Sequence, residues 1–130
     1  MKAHFILYVA DQRRSAEFYR AVLGEAPTLD VPGMTEFLLA EGARLGLMPE
    51  DGIARLLGSG IRHPASARGA PRAELYLVVD DAATFHARAV EAGAREVSPV
   101  VERDWGHVVG YSLDPDGHVL AVASSSASAA

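Results

Sequence analysis

Few side chains in this chain combine the type and spacing that chemistry needs. It contains no cysteine, which removes thiolate nucleophiles, thiolate metal ligands and disulfides together. The serines lie mostly in the middle of the chain and at its end, and no aspartate and histidine gather around Ser15 or Ser112 as a triad would require. Gly58-Ser59-Gly60 is too short for a phosphate-cradling loop. What remains is His4 and Glu74, each opening an apolar run, HFILYV and ELYLVV. An imidazole and a carboxylate that meet can hydrogen-bond, and a buried Glu74 would need such a partner because a lone carboxylate is costly to bury. In that arrangement Glu74 could serve as a general base with His4 orienting it.

These residues go where their elements carry them. Residues 3–9 alternate as a strand, with His4, Ile6 and Tyr8 on one face and Phe5, Leu7 and Val9 on the other. Asp11 is placed to cap a helix that runs to Leu23 and stops at Gly24. Its Phe18, Tyr19, Val22 and Leu23 fall at helical spacing and should pack on the Phe5, Leu7 and Val9 face. Extended runs over 26–31, 35–40 and 44–48 follow, punctuated by Pro32-Gly33 and Glu41-Gly42.

The pattern then returns. A strand over 74–79 leads to a helix over 82–92, capped by Asp81 and halted by Gly93, and strands follow over 95–102, 107–113 and 119–124. Asp114-Pro115-Asp116-Gly117 turns the last two into a hairpin, with aspartates able to cap turn amides and a glycine free to take positive φ. Val119, Ala121 and Ala123 then point one way, Leu120 and Val122 the other. At a shift of 70 residues His4 falls on Glu74, Leu7 on Leu77, Val9 on Val79 and Asp11 on Asp81. A βαβββ module therefore occurs twice in an α+β chain.

The expected organisation is a single domain over 1–124, made of module 1–49, linker 50–71 and module 72–124. The linker is rich in Gly, Pro, Ala, Ser and Arg, with an apolar patch at Ile53, Leu56 and Leu57 that allows one or two helical turns. The tail 125–130 is small and polar and is expected to be disordered. Each module's helix covers one face of its sheet, so two modules, in one chain or across a dimer, can cup their bare faces around a cleft. A net charge of −5 without a basic stripe argues against nucleic acid. No apolar run approaches the roughly 20 residues of a membrane span. Without a signal segment at the start, a cytoplasmic location is expected.

HFILYVAD with SAEFYRAVLG, then AELYLVVDD, then DPDGHVLAVA, resemble in their joint order the vicinal oxygen chelate superfamily, and they cover essentially residues 3–124. That superfamily includes glyoxalase I, extradiol dioxygenases, fosfomycin-resistance enzymes and bleomycin-binding proteins. The resemblance implies the glyoxalase/bleomycin-resistance fold, two modules whose sheets cup a cleft. It also implies where a divalent metal would sit in an enzyme like glyoxalase I, on the first and last strands of each module. Carried onto this chain, those positions are His4 and Glu74, both able to ligate, and Gly46 and Ala121, which have no donor atom. A catalytic site usually has three protein ligands, and nothing in the spacing of His107 or Glu36 argues for either as the third. The expectation is no metal and no cofactor. The alternative is a metal-dependent lyase, isomerase or dioxygenase using His4, Glu74 and a further ligand.

Without an ion the cleft remains as a binding site. Its expected lining is His4, Ile6, Tyr8, Gly46, Met48, Glu74, Tyr76, Val78, Ala121 and Ala123, with Met34 and Phe37 reaching it from neighbouring strands. Gly46 and Ala121 should enlarge and neutralise the space, and Met34 and Met48 are adaptable fillers. Trp105 either offers a flat face for stacking or plugs the hairpin or a dimer seam, and Arg103, Asp104 and His107 beside it either form a polar rim or are solvated. This combination resembles the non-catalytic branch, bleomycin-resistance-type proteins and relatives that sequester thiocoraline- or quinomycin-like peptide antibiotics. The resemblance implies a homodimer with two clefts at the interface, with strand exchange between chains as one form of it. Its partner would be a hydrophobic or aromatic small molecule, and protection would come by mass action without turnover.

Overall fold

The alternating run at the start does form a strand, β1 (Ala3–Val9), in the computed structural model, which describes residues 1–126. Asp11 caps α1 (Gln12–Leu23) by accepting from the Arg14 amide at 3.1 Å, and Gly24 closes it at φ 72°. The first sheet is completed by β2 (Leu29–Val31), β3 (Met34–Ala40) and β4 (Ala43–Pro49) in the order β1-β4-β3-β2, with β1 parallel to β4. β2 begins three residues later than expected, because Pro27 has no amide to give a ladder. The second module repeats the plan with β5 (Glu74–Val78), α3 (Ala82–Glu91), β6 (Arg95–Glu102), β7 (His107–Leu113) and β8 (Val119–Ser125), ordered β5-β8-β7-β6. The fold is therefore α+β, two glyoxalase-type modules of four strands and one helix each. Among the described residues no helix is long and apolar enough to cross a membrane.

One core runs from the first sheet through both helices to the second. Leu7, Val9, Phe37, Leu45 and Leu47 meet Phe18, Tyr19 and Val22 of α1, and the same cluster continues into Ala89 of α3 and Leu120 and Val122 of β8. The modules thus pack on each other within one chain. Phe5 departs from expectation. It is 59% exposed, near the start of β1 and outside the buried core under α1, and lines a groove between the edge strands β1 and β5.

The segment between the modules is folded. Its apolar patch lies in α2 (Glu50–Leu57), followed by two single 3-10 turns over 58–60 and 64–67. Glu50 is only 2% exposed, and ion pairs with Arg68 at 2.7 Å and Arg72 at 3.8 Å meet its charge. Of the tail expected to be disordered, Ser125 closes β8, and 127–130 lie outside the described residues.

The turn 114–117 does more than reverse the chain. Gly117 takes φ 84°, and the buried Asp114 carboxylate accepts from the amides of Asp116 and His118, both at 2.9 Å. Its other oxygen accepts the Tyr19 hydroxyl of α1 at 2.6 Å. Asp116 accepts the Ala10 amide at 2.7 Å, His118 Nε2 donates to the Tyr8 carbonyl at 3.0 Å, and the Arg72 guanidinium donates to the Asp116 carbonyl. Three residues of module one, Tyr8, Ala10 and Tyr19, and Arg72 just ahead of β5 therefore close on this turn and the residue after it.

Burial, reinforced by the Asp114 charge, holds the Tyr19 hydroxyl well above the usual phenol range. Tyr19→Phe should destabilise the protein by about 1–3 kcal/mol, read as a lower urea midpoint, because a buried carboxylate loses a donor. Burial also raises Asp116, with the Asp114 charge adding and the Ala10 amide opposing. A raised folded-state value means stability that is present at acid pH and lost as pH rises through that value. Asp116→Asn keeps the acceptor for Ala10, so its urea midpoint should match the parent at acid pH and exceed it increasingly toward neutrality.

Candidate functional site

Each helix leaves one sheet face bare, and these two faces carry most of the residues expected to line a site. On the first sheet, register places Ile6 of β1 beside Gly46 of β4 and Gly46 beside Glu36 of β3. His4, on the same face of β1, pairs through Nδ1 with Glu36 Oε2 at 3.2 Å. The His4–Glu74 pair envisaged from sequence is not formed. Glu74 is exposed at the start of β5, and its side chain has no hydrogen bond or ion pair among the described residues. A strand-to-strand neighbour within one sheet was closer to His4 than its counterpart in the repeat.

The small residues of the closing strands do not leave open space. A Cβ on Gly46 would meet Ile6 Cδ1 and lie 3.2 Å from Met34 Sδ, so these two side chains already fill the place above the glycine. Ala121 is fully buried, with Ala123 and Val109, under Tyr76 and Tyr111. Ala121 stands in register between Tyr76 of β5 and Tyr111 of β7. Both expected enlargements are therefore taken up by the chain's own larger side chains. Phe37 is corrected as well. It is 1% exposed, faces the helices in register with Leu45, and belongs to the core, because the phase of β3 puts Met34 and Glu36 on the bare face instead. Met48 and Tyr8 are half-buried on the first sheet, and Val78 is exposed on the second.

A divalent ion does not fit this donor set. The closing-strand positions bring no donor atom, His4 is engaged with Glu36, and among the described residues no three His, Cys, Asp or Glu side chains gather.

The second sheet holds the chemically richest cluster. The indole N–H of Trp105 donates to the Tyr76 hydroxyl at 2.9 Å. Indole has only a donor to offer, so the Tyr76 oxygen accepts from it, and His107 Nδ1 lies within hydrogen-bond distance of the same oxygen, 2.6 Å away. The Tyr76 and His107 rings are stacked at 5.8 Å, and Trp105 remains 57% exposed with its ring face open. Arg103, weighed as either rim or solvated, is neither. Its guanidinium donates to Ser98 Oγ at 2.8 Å and to the carbonyls of Pro99 at 3.1 Å and Val109 at 2.8 Å, and sits 5.1 Å over the Tyr111 ring. Burial raises the Tyr111 hydroxyl, the Glu74 and Tyr76 charges add to this, and Arg103 opposes it. Tyr111 escaped the sequence reading, although the hairpin register that places Ala121 on the bare face places Tyr111 there too.

The family model described as the glyoxalase/bleomycin resistance protein/dioxygenase superfamily matches residues 3–122. An uncharacterized protein of Mycobacterium bovis is 29% identical over 115 residues, which span 86% of this chain and 75% of that one. A glyoxalase-related enzyme from Fulvimarina pelagi is similar in structure at a TM-score of 0.77 and 25% identity, covering 95% of this chain and 87% of that one. A glyoxalase/bleomycin resistance protein/dioxygenase family enzyme from Burkholderia phytofirmans has a TM-score of 0.79 at 16% identity, over 94% of this chain and 96% of its own, a likeness of fold.

Tyr76→Phe removes both the acceptor for Trp105 and the hydrogen-bond partner of His107. The emission of the single tryptophan should shift to longer wavelength and become more accessible to acrylamide, with a stability loss of about 1 kcal/mol. An unchanged spectrum would contradict the network.

Proposed function

This chain belongs to the glyoxalase/bleomycin resistance protein/dioxygenase superfamily, and we propose that within it the protein works by binding: it sequesters a partly aromatic small molecule, such as a peptide antibiotic with a planar chromophore, in the cytoplasm and without a metal. The observation that carries this reading is the Trp105–Tyr76–His107 cluster. Its hydrogen bonds hold the indole edge and leave the ring face to solvent. A planar ring can stack on that face, and the His107 imidazole beside it offers a polar partner to the same ligand. The floor beneath is apolar, made of Val109, Ala121 and Ala123.

A homodimer completes the reading. Val78 and Val101 on the second sheet and Leu38 on the first are exposed, and the bare face of a second copy would cover such residues while enclosing the ligand. Binding alone then lowers the free concentration of the toxic molecule, provided the protein is abundant and the complex tight.

Titration with a thiocoraline-type antibiotic, followed by calorimetry and by Trp105 emission, tests the proposal. Saturable heat with quenching is expected, and Trp105→Ala should weaken binding by about tenfold or more. No heat and an unmoved emission across several planar-chromophore peptides would overturn it.

A further inference from the structure

Four strands stand at sheet edges, and the chain treats them in two ways. Of the outer pair, β2 has three residues and lies between Pro27 and Pro32. β6 carries Pro99, two breaks of register and the charges of Arg95, Glu96 and Glu102. Shortness, proline, bulges and charge each keep a further strand from adding to an edge. The inner edges lack such devices. β1 and β5 run without proline or a break of register, and each pairs on one side only, β1 with β4 and β5 with β8.

The bonds at the strand ends show which main-chain groups the inner edges leave over. The Ala3 amide donates to the Gly42 carbonyl on the β4 side, whereas the Tyr8 carbonyl and the Ala10 amide meet His118 and Asp116 on the other. Main-chain groups alternate along a strand, so His4 and Ile6 turn theirs away from β4. The Ala73 carbonyl and the Val79 amide bond to Val119 and Ala123 of β8, so Glu74, Tyr76 and Val78 turn theirs away from β8. Between the two edges lies a groove of about 490 Å³ with apolar walls, among them Phe5, Leu7, Leu45, Leu75 and Leu77. Phe5 and Val78 of its lining are 59% and 65% exposed. Glu74 is the one charged residue of that lining, and its exposed carboxylate has no partner among the described residues.

Apolar walls, open main-chain donors and acceptors on two sides and a single unpaired carboxylate define a complement. We infer that the groove between β1 and β5 receives an extended segment of a partner protein, one that alternates apolar residues and sets a lysine or arginine beside Glu74. Its main chain adds to the edges at His4, Ile6, Glu74, Tyr76 and Val78, and its apolar side chains lie toward Leu7, Leu45, Leu75 and Leu77. This docking makes no use of the Trp105 ring, although Ile6 and Tyr76 belong both to the groove and to the bare faces.

The probe is the peptide acetyl-Val-Lys-Val-Thr-Val-amide, titrated into the ¹⁵N-labelled protein with hydrogen exchange followed amide by amide. Saturable shifts and slowed exchange are expected at His4, Ile6, Glu74 and Tyr76, while Phe5, Leu7, Leu75 and Leu77, which face β4 and β8, keep their exchange rates. The same peptide methylated on its valine amide nitrogens should bind about tenfold more weakly or worse. Glutamate in place of its lysine should weaken binding about fivefold, and Glu74→Lys, at an exposed position, should reverse that preference. Trp105→Ala should leave peptide affinity within about twofold, which separates this docking from the antibiotic-binding reading. Absence of saturable shifts, equal binding of the methylated peptide, or a lysine preference that survives Glu74→Lys would overturn the inference. So would protection of the same amides on raising the protein concentration alone, which would make a second copy the occupant.

Discussion

Two sheets and two helices hold together around one buried carboxylate. Asp114 takes two amides of its own turn and the hydroxyl of Tyr19 from the other module, so its charge is met on every side. Such a group contributes modestly when complete and costs several kcal/mol when a partner is lost, because the charge stays buried. Asp116 within the same turn and His118 just after it hold the Ala10 amide and the Tyr8 carbonyl at the end of β1. The turn also sets where β8 begins, and hence that Val119 stands opposite Glu74 and Ala121 opposite Tyr76.

From that register the character of the bare face follows. Alanine at 121 and 123 gives Tyr76 a low floor to cross, and its hydroxyl then reaches His107 and Trp105. A longer, ligating side chain at 121 would stand where the tyrosine lies. The first module shows the same relation in another form, with Ile6 and Met34 resting over Gly46. In both modules, the closing-strand position that resemblance assigns to a metal ligand lies under a neighbour's apolar or aromatic side chain.

Much of the fold was legible because it rests on local signals. Asp11 and Asp81 as caps, Gly24 in its left-handed conformation and the two phases of β1 and β8 follow from residue type and spacing, and the 70-residue shift exposed the repeat. The site was less legible because it depends on which strands lie side by side. His4 meets Glu36 through two strand pairings that no spacing announces, and Phe37 turns to the helices because it stands in register with the core residue Leu45, on the face opposite Met34 and Glu36. Tyr111 becomes visible only after β7 is paired with β8. The segment at 50–71 looked like a linker from composition, yet Glu50 anchors it through Arg68 and Arg72, an interaction between residues 18 and 22 positions apart.

A superfamily fold is kept here while the closing strands of both modules, at Gly46 and Ala121, carry no donor atom for an ion. Elemental analysis of the purified protein, with the melting temperature taken before and after a chelator, tests it most directly. Far less than one divalent metal per chain is expected, with a melting temperature that the chelator leaves unchanged. About one Zn, Ni, Mn or Fe per chain, lost in His4→Ala and linked to a fall in melting temperature on chelation, would contradict it.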